Sequence, residues 1–144
     1  MKIEIRTEPF NPFTEIQHHQ EQIQKAGQFG AVASFVGSMR DFNEGDKVTG
    51  MQLEYYPGMT EKHLSDICAQ AVNQWDLLEV LILHRVGEIN IGDPIVLVCV
   101  WSAHRANAFE ACRYIMEDLK SKAPFWKQET LEQGKRWVEK NTPG

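Results

Sequence analysis

The sequence predicts an α+β domain with a mostly antiparallel sheet and helices packed against it. Three observations lead there. Helical and strand patterns succeed one another as β-α-β-β-α-β-β-α-β-β, without the regular alternation of a doubly wound fold. Two runs rich in branched residues, Leu78–Val86 and Ile95–Trp101, read as buried strands. Neither GxGxxG nor GxxxxGK[ST] occurs, so the common phosphate-binding α/β signatures are missing. At 144 residues the chain is expected to form one domain, residues 1–144, and it shows no internal repeat, low-complexity tract or linker.

The elements follow in order. Lys2–Thr7 alternates apolar and polar residues and predicts a short strand. Asn11-Pro12 reads as a helix cap followed by a first helical residue, opening a polar helix to about Lys25 with Gly27 as its stop. Gly30–Arg40 and Val48–Tyr56 predict two antiparallel strands joined by the acidic loop Asp41–Asp46. After Pro57-Gly58, Thr60 is the expected cap of a helix to about Trp75, with Leu64, Ile67, Cys68, Ala71 and Val72 on its apolar face. Gly92-Asp93-Pro94 turns the chain between the two buried strands. Ser102 is the expected cap of a long helix to about Lys122, whose stripe is Ala108, Phe109, Cys112, Ile115, Met116 and Leu119. Ala123-Pro124 ends it, and Phe125–Leu131 with Lys135–Glu139 predicts a hairpin around Gln133-Gly134.

Composition narrows the function classes. The net charge is −5, but residues 120–140 carry six basic and three acidic groups, leaving −8 for the rest. A basic island on an acidic protein suits a small anionic ligand or an acidic partner segment; nucleic-acid binding wants a broadly basic face. The longest apolar run, Ile95–Trp101, is far shorter than the roughly 20 residues that span a bilayer. No apolar stretch follows the N-terminal lysine as in a secretory signal. Three cysteines without a CxxC pair, Cys68, Cys99 and Cys112, fit buried reduced thiols and a cytoplasmic setting rather than disulfides or zinc.

Three segments can carry chemistry. Ser102-Ala-His104-Arg105 places two potential cations at a helix start, where free N–H groups attract anions and an arginine fork matches phosphate. Neighbouring acids such as Glu110 offer a purely electrostatic explanation. Lys120-Ser-Lys-Ala-Pro-Phe-Trp-Lys127 flanks a rigid aromatic corner with lysines. A partly buried lysine near other cations has a depressed pKa and can act as acid, base or nucleophile; Lys120 equally suits the helix C-terminus, and Lys122 reads as solvated. Phe35-Val-Gly-Ser-Met-Arg40 ends a strand with an arginine that either clamps a phosphate or pairs with Asp41 or Glu44. Glu129 shares a strand face with Lys127, two residues apart. His18, His19 and His63 read as polar helix surface, and His84 as a satisfied core histidine.

Taken together, Phe35–Arg40, Leu53-Glu-Tyr-Tyr-Pro-Gly-Met-Thr60, Leu83-His-Arg-Val-Gly-Glu88, Ser102–Arg105 and Lys120–Glu129 resemble the large, catalytic subunit of molybdopterin synthase over nearly the whole chain. The resemblance implies an α/β hammerhead-type domain with a smaller α+β portion. It implies a homodimer at the core of a heterotetramer with a small ubiquitin-like sulfur carrier, whose C-terminal glycine is a thiocarboxylate. It implies a cyclic pyranopterin monophosphate substrate and no metal or organic cofactor on this subunit. Carried over by position, the resemblance makes Lys120 and Lys127 catalytic and gives Arg40, His104 and Arg105 to the substrate, with Glu129, Phe35 and Met116 beside them. A further basic contact near the C-terminus falls on Lys140 or Asn141. Arg105 and Lys120 lie about 22 Å apart along one helix, so the expected pocket is shared between two chains. Two other readings remain open: a non-enzymatic sensor of a phosphorylated metabolite, which would use Arg40, His104 and Arg105, and a docking module for an acidic tail.

Overall fold

The computed structural model describes residues 1–24, 27–43, 45–131 and 134–138. Its strands are β1 (Lys2–Arg6), β2 (Ala31–Ser38), β3 (Phe42–Asn43), β4 (Asp46–Tyr55), β5 (Glu79–Arg85), β6 (Gly87–Ile89), β7 (Pro94–Ser102), β8 (Phe125–Leu131) and β9 (Gly134–Trp137). Its helices are α1 (Pro12–Gln22), α2 (Met59–Trp75) and α3 (Arg105–Ser121).

The first sheet has the order β1-β5-β7-β2, with β1 parallel to β5 and the other pairs antiparallel. Strands β5 and β7 are buried almost throughout, because helices cover both faces. One face carries α2 and α3 over Val80, Ile82, Val96, Val98 and Val100, with Leu64, Ile67, Ala111 and Ile115 from the helices. The other carries Leu81, Leu83, Leu97, Cys99 and Trp101 against Phe10 and, from α1, Ile16. Alternate residues of each strand thus feed two separate cores, which is why these strands read as continuous apolar runs.

The second sheet runs β3-β4-β8-β9, with β6 also paired to β4. Its inner face packs Met39, Val48, Met51, Leu53, Ile89 and Ile95. In the β4–β8 register Leu53 lies opposite Lys127 and Met51 opposite Glu129, so both charged residues share the inner face with the core.

Several expectations change. The strands containing residues 30–40 and 48–56 do not pair with each other: β2 pairs with β7, while β4 belongs to the second sheet. Alternation reveals a buried face but not the partner strand. The short strands β3 and β6 were not expected; each adds only two or three ladder pairs to β4. The first helix stops at Gln22, before Gly27, with Ile23 at its C-cap. Thr60 is the second residue of α2 rather than its cap; Gly58 caps the helix at φ +85°, and its N–H bonds Glu61 Oε1 at 3.1 Å. Ser102 ends β7, and His104 holds the cap position of α3. Phe109 is exposed instead of joining the stripe, whose inward positions are filled by Ala108, Ala111, Cys112, Ile115 and Leu119. The β8–β9 hairpin forms as expected; Gln133, Glu139, Lys140 and Asn141 lie outside the described residues.

Candidate functional site

Lys120 and Lys127 are brought together by the corner Lys122-Ala123-Pro124, which breaks α3 and starts β8. The corner is fixed from α2. Thr60, fully buried, donates its hydroxyl to the Pro124 carbonyl at 2.9 Å and accepts from the Tyr56 N–H at 3.0 Å. His63 on α2 meets Asp118 on α3 at 2.6 Å, and the Asp118 carbonyl accepts the Lys122 N–H at 2.8 Å. The aromatic corner therefore has a scaffold: α2 sets where the two lysines stand.

Between them lies a cleft of about 250 Å³ lined by Leu53, His84, Ile95, Phe125, Lys120 and Lys127, among others. A smaller recess of about 70 Å³ shares Ile95, Lys120 and Lys127 and adds Arg40, Asn43 and Glu129. Arg40, Lys120, Lys127 and Glu129 thus converge in one chain. Partial burial pushes the Lys120 amine from its usual 10.5 down to about 8, and repulsion from Lys127 and Arg40 adds to the shift. Burial lowers Lys127 as well; Arg40 adds to this and Glu129 opposes it. Glu129, almost wholly buried, accepts from Asn43 Nδ2 at 3.0 Å and from Arg136 at 3.1 Å. It is a held carboxylate that counters part of the local positive charge.

His84 is the residue whose place in the site sequence reasoning missed. It is buried as expected, with Nδ1 at 2.7 Å from the Arg85 carbonyl and its ring stacked on Phe125 at 3.9 Å. It also lines the cleft beside both lysines. Its position on β5 gave no such signal, because only the β8 register brings Phe125 and Lys127 over it.

His104 and Arg105 are exposed at the opposite end of α3, about 22 Å away by helical rise. Glu110, a candidate neutraliser, instead accepts from Trp75 Nε1 at 3.0 Å. Phe35 stands 42% exposed on β2, the edge strand of the first sheet, and Met116 is packed in the core beneath α3. Neither lines the cleft described within one chain. Two of the histidines read as polar surface are engaged: His63 with Asp118, and His19 with the Trp101 ring at 5.4 Å. The three cysteines are buried free thiols, and burial raises Cys68 and Cys99 to about 12 and Cys112 to about 11. They are protonated at neutral pH and are not nucleophiles. Among the described residues, no group of three His, Cys, Asp or Glu side chains can hold a metal ion, and no helix is long and apolar enough to cross a membrane.

A two-sheet α+β fold with a recessed, cation-lined cleft defines a protein built to hold and stabilise negative charge. Residues 6–122 match the family model described as MoaE protein, and the chain belongs to that family. It is 50% identical over 139 residues to the molybdopterin synthase catalytic subunit of Pseudomonas aeruginosa, spanning 96% of this chain and 91% of the relative. It is 47% identical over 138 residues to the subunit of that name from Escherichia coli, spanning 96% and 89%. The crystal structure of molybdopterin synthase from Staphylococcus aureus superposes with a TM-score of 0.83 at 36% identity, covering 96% of this chain and 98% of that one.

Proposed function

We propose that this chain is the catalytic subunit of a molybdopterin synthase, a single-domain sulfurtransferase of molybdenum cofactor biosynthesis acting in the cytoplasm. It converts cyclic pyranopterin monophosphate to the dithiolene of molybdopterin, taking sulfur from the C-terminal glycine thiocarboxylate of a small ubiquitin-like subunit. The observation that carries this reading is the meeting of Lys120, Lys127 and Arg40 in one partly desolvated cleft. Sulfur transfer from a thiocarboxylate passes through species with oxyanion and thiolate charge, and nearby cations in a dry site stabilise them. Lys120 and Lys127 activate the thiocarboxylate carbonyl and manage protons. Arg40, His104 and Arg105 hold the phosphate. The sulfur arrives on the partner, which agrees with three inert cysteines.

Two copies of the chain share each pocket in this reading. Strand β2 runs from Ala31, paired with Ser102 beside His104, to Ser38, two residues before Arg40. Its eight residues span roughly 23 Å, close to the separation of the two ends of α3. A two-fold axis across the open edge of β2 near Phe35 carries His104 and Arg105 of one copy toward Arg40 and Lys120 of the other. The test mixes Arg105→Ala chains with Lys120→Ala chains, each strongly impaired alone when substrate is kept below the native KM, adds thiocarboxylated partner and cyclic pyranopterin monophosphate, and assays dithiolene product by mass. Restored turnover is expected. A mixed dimer that forms and stays inactive removes the shared pocket, and absence of product from the unaltered protein removes the sulfurtransferase reading.

A further inference from the structure

His84 has a geometry that its burial alone does not require. A backbone carbonyl only accepts hydrogen bonds, so the 2.7 Å contact with the Arg85 carbonyl fixes the proton on Nδ1. The ring is held flat on Phe125, with 13° between the planes. Nε2 is then the lone-pair atom, on a ring that lines the cleft with Lys120 and Lys127. Leu53, Ile95, Leu119 and Val138 supply the apolar part of its wall, and Glu129 is held by Asn43 and Arg136. A neutral acceptor among cations is useful here, because an ammonium drawn out of water needs acceptors for its N–H groups.

We propose that His84 is a positioning residue for Lys120: with its Nδ1–H committed to the Arg85 carbonyl, its Nε2 receives a hydrogen bond from the Lys120 ammonium, directly or through one water. The contact aims the amine into the cleft and favours its charged form. The charged groups facing Lys120 are Lys127 and Glu129 from β8, and Arg40 beyond β2. Two of these repel it, so the imidazole supplies what the cationic neighbours take away. Burial, reinforced by both lysines, holds the His84 pKa near 3 against the opposing bond to Arg85, so the ring stays a neutral acceptor at every working pH. The inference deepens the sulfurtransferase reading and draws its catalytic meaning from it, but its measurement requires no turnover.

The unaltered protein gives the first test. Histidine ¹⁵N NMR is expected to show His84 as the neutral Nδ1–H tautomer throughout the neutral range; an Nε2–H tautomer or an imidazolium overturns the proposal. Two variants give the second. The Asn amide reproduces the Nδ1 donor without the Nε2 acceptor, and the Gln amide reaches the Nε2 position. Lys120 is followed by NMR titration of ¹³C-labelled lysine, its signal assigned by loss in Lys120→Arg. His84→Asn is expected to lower the Lys120 pKa by about one unit, as for a lost hydrogen bond to a charged group, while His84→Gln leaves it near the native value. In sulfur transfer the alkaline limb of the pH profile moves with it. Equal shifts in the two variants, or no shift in either, overturn the proposal. A protein with the expected titrations but no sulfur transfer retains this inference and removes the functional reading.

Discussion

At its N-terminal end α3 presents His104 and Arg105 to solvent; at its C-terminal end Lys120 is withdrawn into a cleft beside Lys127 and Arg40. The helix dipole disfavours cations at the first position and favours them at the second, by about 0.3–1 kcal/mol each. His104 and Arg105 thus stand against the dipole, whereas Lys120 stands with it. The exposed pair stands open to solvent, where an anion arriving from another molecule can reach it. The recessed lysine is depressed to about 8, so it can both hold and release a proton near neutrality. In the proposed reading the same helix divides anion capture from chemistry.

The sharpest way to break this comparison is to remove one cation from each end. Lys120→Ala and Lys127→Ala are expected to lower the rate of dithiolene formation about 10²–10³-fold, as for loss of a group stabilising transition-state charge. Arg105→Ala is expected to raise KM about tenfold or more and to change kcat less, because it takes away a charge-assisted contact made already in the bound substrate. Steady-state kinetics with thiocarboxylated partner distinguish the two; equal effects on kcat at both ends would erase the division.

Stability supplies the next contrast. A lysine whose pKa falls from 10.5 to about 8 on folding costs up to about 3 kcal/mol while it is charged. The sign follows from proton counts. Below about 8 both folded and unfolded chains hold the proton, and the full cost applies. Between about 8 and 10.5 the unfolded chain binds a proton that the folded one has released, so stability rises with pH across that window. Lys120→Met is therefore expected to be more stable than the native protein at neutral pH and nearly inactive, with the gap narrowing as pH rises. Urea unfolding at two pH values measures it.

The support of the corner comes next in size. Thr60→Val removes one hydrogen bond to Pro124 and one to Tyr56 from a fully buried site, and is expected to cost about 1–3 kcal/mol in denaturant unfolding. The smallest effect on chemistry is expected for replacement of Cys68, Cys99 and Cys112 together by Ala. Sulfur transfer per folded molecule should persist, and its loss in a folded variant would return a thiol to the mechanism.

Residue types and local spacing were enough for much of this. The buried strands β5 and β7, the helix spans of α2 and α3 and the break at Ala123-Pro124 are written in apolar periodicity and in proline. Asn11 before Pro12 fixed the start of α1, where its side chain accepts the Phe13 N–H at 3.0 Å. Lys120 and Lys127 were legible as a pair because they are close in sequence and flank one corner. Arg40 was legible only as a cation after a strand. Its place beside them depends on β2 and β4 belonging to different sheets, so that the chain between them crosses over the recess.

Sequence alone settled which segments bury a face and which side chains could carry charge, since both follow from side-chain chemistry at fixed local periods. Tertiary structure alone decided how those charges behave. Depressing Lys120, turning a core histidine into a cleft wall and locking Glu129 between Asn43 and Arg136 all require groups distant in the chain to meet. Desolvation and Coulomb energy depend on separation in space, and no spacing along the sequence supplies that distance.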